Sequence, residues 1–226
     1  MALGFAAYDK RHYRTTGVLE GYRLWSRSYD QMMTDDLDLV LLRRLTSVDF
    51  RVGHAIDLAC GTGRIGAWLA SMGARIIDGV DLCPEMLAGA RARGIYRELR
   101  EEDIRHTSLA GGQADLVINV LSVEHLPSLD PFYAELARLG RPGGTAVIVG
   151  FHPHFMLNGI PTHFDLETGE SIAIENTIHL FSDHVAAGRR VGFQLLDLQE
   201  RLVDGELLTR SPGWQRHAGL PASFVL

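Results

Sequence analysis

Lysine is almost missing from this 226-residue chain: Lys10 stands alone among 22 Lys and Arg residues. A compositional bias of the source genome accounts for the other 21 being arginine, and the bias carries no functional weight. Net positive charge is missing too. The formal charge is −6 and the basic residues are scattered, so no footprint for a phosphate backbone is present and nucleic acid is not expected as a partner. Only two cysteines occur, Cys60 and Cys83, which excludes a disulfide framework and fits a reduced, cytoplasmic setting. No apolar run approaches the roughly 20 residues that cross a bilayer, and no basic N-terminal stretch precedes an apolar one, so neither a membrane nor a secretory leader is expected. Repeats, low-complexity tracts and Pro/Gly-rich linkers are also lacking, which leaves one globular domain over 1–226.

What is present is a rhythm of short apolar runs and helical stretches from His54 onward. Ala55–Ala59, Arg75–Val80, Tyr96–Leu99, Leu116–Leu121 and Thr145–Phe151 read as strands, with helices over Ile65–Met72, Pro84–Arg93 and Asp130–Leu139. Continuous apolar strands separated by helices predict an α/β fold with a doubly wound, mostly parallel sheet of seven strands and helices on both faces. After Phe151 the rhythm breaks for about 30 residues, an interruption more often functional than incidental. It resumes with a helix over Ser182–Val191 and terminal strands at Phe193–Leu198 and Ala222–Leu226. The expected organisation is an N-terminal helical lid over 1–47, a core over 48–151, a cap over 152–181 and a C-terminal helix with strands over 182–226.

The segment Gly61-Thr62-Gly63-Arg64-Ile65-Gly66 satisfies G-x-G-x-x-G between a strand and a helix, where glycine lets a ligand approach the backbone. Alone it fits a tight packing turn as well. Asp81 stands 20 residues beyond Gly61, where a carboxylate can accept from both hydroxyls of an adenosine ribose. NAD and S-adenosylmethionine fit that acid equally. Asp57, on the first strand, separates them: it would repel a pyrophosphate at the helix N-terminus and favour a sulfonium and an α-ammonium group.

With these residues in place, Asp57-Leu58-Ala59-Cys60-Gly61-Thr62-Gly63 resembles the first motif of the class I S-adenosylmethionine-dependent methyltransferases. Gly79-Val80-Asp81-Leu82-Cys83-Pro84 is similar to the family's second motif, Glu102-Asp103-Ile104 to its adenine-contacting pair, Asp115–Asn119 to its fourth strand and Leu139–Gly144 to the turn into its fifth. The resemblance covers about 52–151 and implies S-adenosylmethionine as cofactor, S-adenosylhomocysteine as product, and cofactor contacts from Tyr29, Asp57, Ala59, Gly61, Gly63, Asp81, Leu82, Asp103, Ile104 and Asn119.

The acceptor belongs beyond the carboxyl ends of the strands. His125 is the leading candidate base and His154 the second, because an imidazole of near-neutral pKa suits a hydroxyl, protonated amine or enolisable carbon. Tyr22, Trp25, Glu124, His152, Phe155 and His179 are the candidate acceptor contacts, the aromatic ones as lid or pocket lining. His152-Pro153-His154 also invites a metal reading, but no Cys or carboxylate completes a ligand spacing and no metal is expected. The acidic charge and apolar cap favour a small-molecule metabolite or natural product methylated at O, N or C, by a monomer or homodimer. Two alternatives stay open: a protein that uses the cofactor without methyl transfer, and an NAD(P)-dependent oxidoreductase.

Overall fold

The computed structural model describes residues 3–33 and 36–226. Five apolar runs become parallel strands: β1 His54–Leu58, β2 Ile76–Asp81, β3 Glu98–Glu101, β4 Ala114–Val120 and β5 Gly140–Phe151. β6 Gln199–Leu202 and β7 Pro221–Val225 complete a seven-stranded sheet in the order β6-β7-β5-β4-β1-β2-β3, with β7 antiparallel to both of its neighbours. The central strands are mainly apolar because both of their faces are covered. Ile56, Leu58 and Val117 pack under α5 Asp130–Leu139, whereas Ala55, Leu116 and Ile118 pack on the other face under α2 Leu39–Arg44 and α3 Arg64–Met72. The doubly wound architecture is the one expected from the sequence.

Helix ends follow local chemistry. α3 opens on Gly63 and closes on Gly73, both left-handed, and α4 Pro84–Arg93 has Pro84 in its first turn and a left-handed Gly94 at its end. α6 Phe181–Arg190 then covers the same face as α5.

Three details differ from the sequence reading. Pairing places β3 at Glu98–Glu101, after the expected Tyr96, and β5 begins at Gly140, which pairs with Ala114 before a register shift. Phe193–Leu198 is not a strand; Leu195 and Leu196 are 54% and 67% exposed, and the sheet position belongs to Gln199–Leu202. That strand inverts the usual pattern, because it buries Arg201 completely and exposes Leu202, so hydrophobic alternation points away from it.

The lid and cap segments are built together. Arg14–Thr16 pairs in parallel with Ser171–Ile174, which pairs with His163–Asp165, and Leu3–Gly4 pairs with Thr177–Ile178. α1 Val18–Trp25 lies on this small sheet at Gly21, where a Cβ would come within 2.8 Å of Ile174.

Candidate active site

The site forms where β1, β2 and β4 end. Ala59, Gly61 and Gly63 all have left-handed φ, at 57°, 54° and 82°, so the chain leaves β1 in a tight sequence of turns. Alanine in this region is strained, and such strain clusters at functional sites. Leu121, just past β4, is left-handed as well. The turn is held by Asp81, whose two oxygens accept from the backbone N–H of Gly61 and of Cys83, each at 2.8 Å. Burial pushes the Asp81 pKa up, against the pull of these two bonds. At the end of β4, fully buried Asn119 donates to the Leu58 carbonyl at 2.8 Å and the Ser122 hydroxyl at 2.7 Å. Its Oδ1 has no protein partner.

Above these ends lies an aromatic group. Tyr22, Trp25 and Tyr29 have ring centroids 4.9 to 6.3 Å apart, and Trp25 stacks on Phe164 of the cap at 5.4 Å. Burial, then the nearby anionic groups, raises the Tyr22 hydroxyl pKa.

The Tyr22 hydroxyl lies 2.9 Å from His125 Nε2, and His125 Nδ1 lies 2.8 Å from the Glu175 carbonyl. A carbonyl only accepts, so the ring proton sits on Nδ1, Nε2 keeps its lone pair, and Tyr22 donates to it. Burial lowers His125 to about 4, so the ring is neutral at neutral pH. The adjacent Glu124 is 1% exposed; its Oε1 accepts from Thr162 at 3.3 Å, and its Oε2 has no protein partner. Burial raises that carboxyl to about 7.

Of the residues singled out in the sequence, Tyr22, Trp25, Tyr29, Asp81, Asn119, Glu124 and His125 converge here. Leu82, 47% exposed, follows Asp81 at the rim. Asp103 is held by Arg105 through its side chain, which lowers the carboxyl pKa, and Ile104 is buried in the core beneath it. Asp57 lies behind the turn: it accepts from the Tyr96 hydroxyl at 2.7 Å, and burial raises it to about 7. Its contact is with the scaffold, and Gly66 is glycine because a Cβ there would meet the Tyr96 oxygen at 2.2 Å.

Four sequence candidates lie apart from the Tyr22–His125 pair. His152 Nε2 pairs with Glu200 on β6 at 2.7 Å, and His154 lines a separate cleft with Lys10 and His217. Phe155 is buried with Leu37, Val203 and Leu207, while His179 is bonded to the Leu126 carbonyl at 2.8 Å and packs on His184. For His152 and Phe155 the reason is that the chain leaving β5 packs against β6 and β7.

Two acids that the sequence reading missed bear on the ligand. Asp30 accepts from the Thr62 hydroxyl at 2.5 Å and pairs with Arg93 at 3.0 Å, and buried Asp38 grips both guanidinium nitrogens of Arg64. Two carboxylates therefore stand against the glycine turn and neutralise its arginines, an unfavourable seat for a pyrophosphate. No spacing signal announces them, since each partner is distant in the chain.

Known proteins resemble this chain in sequence and in fold. The model of the methyltransferase domain family matches residues 56–148. An uncharacterized methyltransferase of Emericella nidulans is 30% identical, over 84% of this chain and 82% of that protein. A phosphatidylethanolamine N-methyltransferase of Cereibacter sphaeroides is 26% identical over 87% of this chain and 92% of its own length. Among solved structures, a putative S-adenosylmethionine-dependent methyltransferase from Listeria monocytogenes superposes with a TM-score of 0.66 at 18% identity, covering 83% of this chain and 94% of that one. With the glycine turn, the ribose acid and the sheet order already in place, the chain belongs to the class I S-adenosylmethionine-dependent methyltransferases.

Proposed function

We propose that this enzyme methylates an O, N or C atom of a small-molecule acceptor bound between the β4 end and the aromatic lid, and that Tyr22 and His125 take up the proton released. The observation that carries the reading is the Tyr22–His125–Glu175 chain of hydrogen bonds, which leaves a neutral imidazole with its basic nitrogen facing the lid.

The residues present suit the cofactor. Asp81 has lone pairs left for ribose hydroxyls, the unpartnered Oδ1 of Asn119 offers an acceptor to an ammonium, and the left-handed turn exposes backbone close to the ligand. Leu82, Asp103 and Ile104 are assigned to the adenosine end, and Tyr29, Ala59, Gly61 and Gly63 to the methionine end. Asp57 supports this seat indirectly by fixing Tyr96 behind it. Bound there, S-adenosylmethionine supplies an electrophilic methyl group with a neutral thioether as leaving group.

The protein's own contribution is to place the acceptor, exclude water and receive a proton. As the acceptor atom loses its proton, the Tyr22 oxygen takes it while the Tyr22 proton passes to His125 Nε2, and the resulting imidazolium is held through Nδ1–H by the Glu175 carbonyl. Trp25 and Phe164 form an apolar wall, and Glu124 accepts from a polar group of the acceptor. The segments that carry Tyr22 and Phe164 close over the acceptor together, because the Arg14–Thr16, Ser171–Ile174 and His163–Asp165 strands share a sheet.

A panel of hydroxyl, amine and enolisable acceptors with methyl-labelled S-adenosylmethionine tests the reading. Labelled product and S-adenosylhomocysteine should appear together with an acceptor from the panel. His125→Ala should lower turnover by about 100-fold or more while cofactor affinity stays within about twofold. Asp81→Ala should instead weaken S-adenosylhomocysteine binding by about 10- to 100-fold. Cofactor binding without transfer to any member of the panel would contradict the proposed chemistry.

A further inference from the structure

Away from the chamber, the N-terminal segment, the helix Pro153–Leu157 and the turn Pro212–His217 meet around a cleft of about 290 Å3. Lys10 and Arg11 enter it from the first, His154 from the second and His217 from the third, beside apolar Ile160 and Leu220. We propose that this cleft binds a small anionic amphiphile, its phosphate or carboxylate group held by Lys10, Arg11, His154 and His217 and its apolar part resting on Ile160 and Leu220.

The charge is unmatched. Among the described residues, Lys10, Arg11 and the neighbouring Arg216 form no ion pair with a carboxylate, in a chain whose net charge is −6. The acids close by are committed elsewhere. Asp9 accepts from the backbone N–H groups of Arg11, His12 and Tyr13 at 2.8 to 2.9 Å, and Glu200 holds His152. His217 is lowered by burial and then by Arg216 and Arg11, with no carboxylate acting in the other direction.

The cleft is also rich in donors. The Asn158 amide nitrogen is fixed as a donor by its bond to the His154 carbonyl at 2.8 Å, so His154 Nε2, 3.2 Å away, must accept and its proton lies on Nδ1. Arg216 Nε donates to His217 Nε2 at 3.0 Å, which leaves that proton on Nδ1 as well. Two cations and two imidazoles that each carry an Nδ1–H therefore line one cleft, a donor set that suits an oxyanion.

The arrangement is preorganised. The Asp9 bonds hold His12 at a left-handed φ of 54°, and Gly159, at φ 83°, lets the 8–10 segment approach so closely that a Cβ would meet the Tyr8 carbonyl at 2.9 Å. A non-glycine residue held in this region stores strain of about 1–3 kcal/mol, a cost that structures retain mainly where it serves a site.

Calorimetric titration of the full chain with octyl phosphate and octanoate, below their aggregation concentrations, tests the proposal, with octyl glucoside as the neutral control. Octyl phosphate or octanoate should bind with an affinity that falls as salt rises, and the tighter of the two identifies the headgroup. Lys10→Ala with Arg11→Ala, both exposed positions, should weaken it at least about 10-fold while S-adenosylhomocysteine binding and thermal stability stay as they are. Equal binding of octyl glucoside, no loss in the double variant, or binding only to anionic phospholipid vesicles would overturn it. Because binding at this cleft requires no methyl transfer, its failure and that of the proposed chemistry are separable.

Discussion

Glu124 and His125 are adjacent, and burial moves them in opposite senses, the acid up to about 7 and the base down to about 4. Each shift favours the neutral form: His125 is neutral at physiological pH, and Glu124 is divided between its neutral and ionised forms near pH 7. The sign of the linkage separates them. A carboxyl raised in the folded state contributes stability that is present below its unfolded value and lost as pH rises through about 7; a histidine that is lowered contributes stability present at neutral pH and lost as pH falls toward about 4. Glu124→Gln removes only the first effect. Its melting temperature relative to wild type should therefore rise between about pH 5 and about pH 8, and a difference independent of pH would show that Glu124 is not buried as described. Tyr22→Phe removes the hydroxyl that faces His125 Nε2; it should lower turnover by about 10-fold or more and leave cofactor affinity unchanged. Steady-state kinetics beside S-adenosylhomocysteine titration distinguish this from a packing defect, which would move both.

At the scale of elements, the parallel core was readable because β1, β2, β4 and β5 are apolar where the sheet is covered and because glycine and proline mark the helix ends. β6 was not, since it turns Arg201 inward and Leu202 outward. The cofactor half of the site was legible for the same reason as the core: the glycine turn and Asp81 are local in sequence. The acceptor half required contacts that join Tyr22 to His125 and Thr162 to Glu124, and histidines after β5 looked equally suitable until the chain was seen to turn toward β6. The lid latches were silent in the sequence because Asp38 meets Arg64, and Asp30 meets Thr62, only after folding. Asp38 is 1% exposed and Arg64 is its counter-ion, so Arg64→Ala should leave a buried carboxylate and destabilise the protein by about 3 kcal/mol. Chemical denaturation measures that loss. Gly66→Ala should also destabilise, because the new methyl would meet the Tyr96 ring carbons as well as its oxygen and displace Tyr96 from Asp57.

For the whole molecule, the family match over 56–148 covers the parallel core of the sheet, and the Arg14–Thr16 and Ser171–Ile174 strands pair with each other outside it. Ligand binding at the glycine turn should stabilise the whole chain: S-adenosylhomocysteine at about 100 times its dissociation constant should add about 2.7 kcal/mol, and NAD at the same concentration should add nothing, given the carboxylates against the turn. Among the described residues no helix is long and apolar enough to cross a membrane, and no cluster of three or more candidate metal ligands occurs. Chemistry is assigned instead to one hydrogen-bonded pair beneath the lid. The most direct measurement of that assignment is the turnover of methyl-labelled S-adenosylmethionine with a responsive acceptor, in wild type and in His125→Ala, with S-adenosylhomocysteine affinity measured on the same samples. Turnover should fall by about 100-fold or more with affinity unchanged in His125→Ala; undiminished turnover in that variant would contradict the role given to the Tyr22–His125 pair.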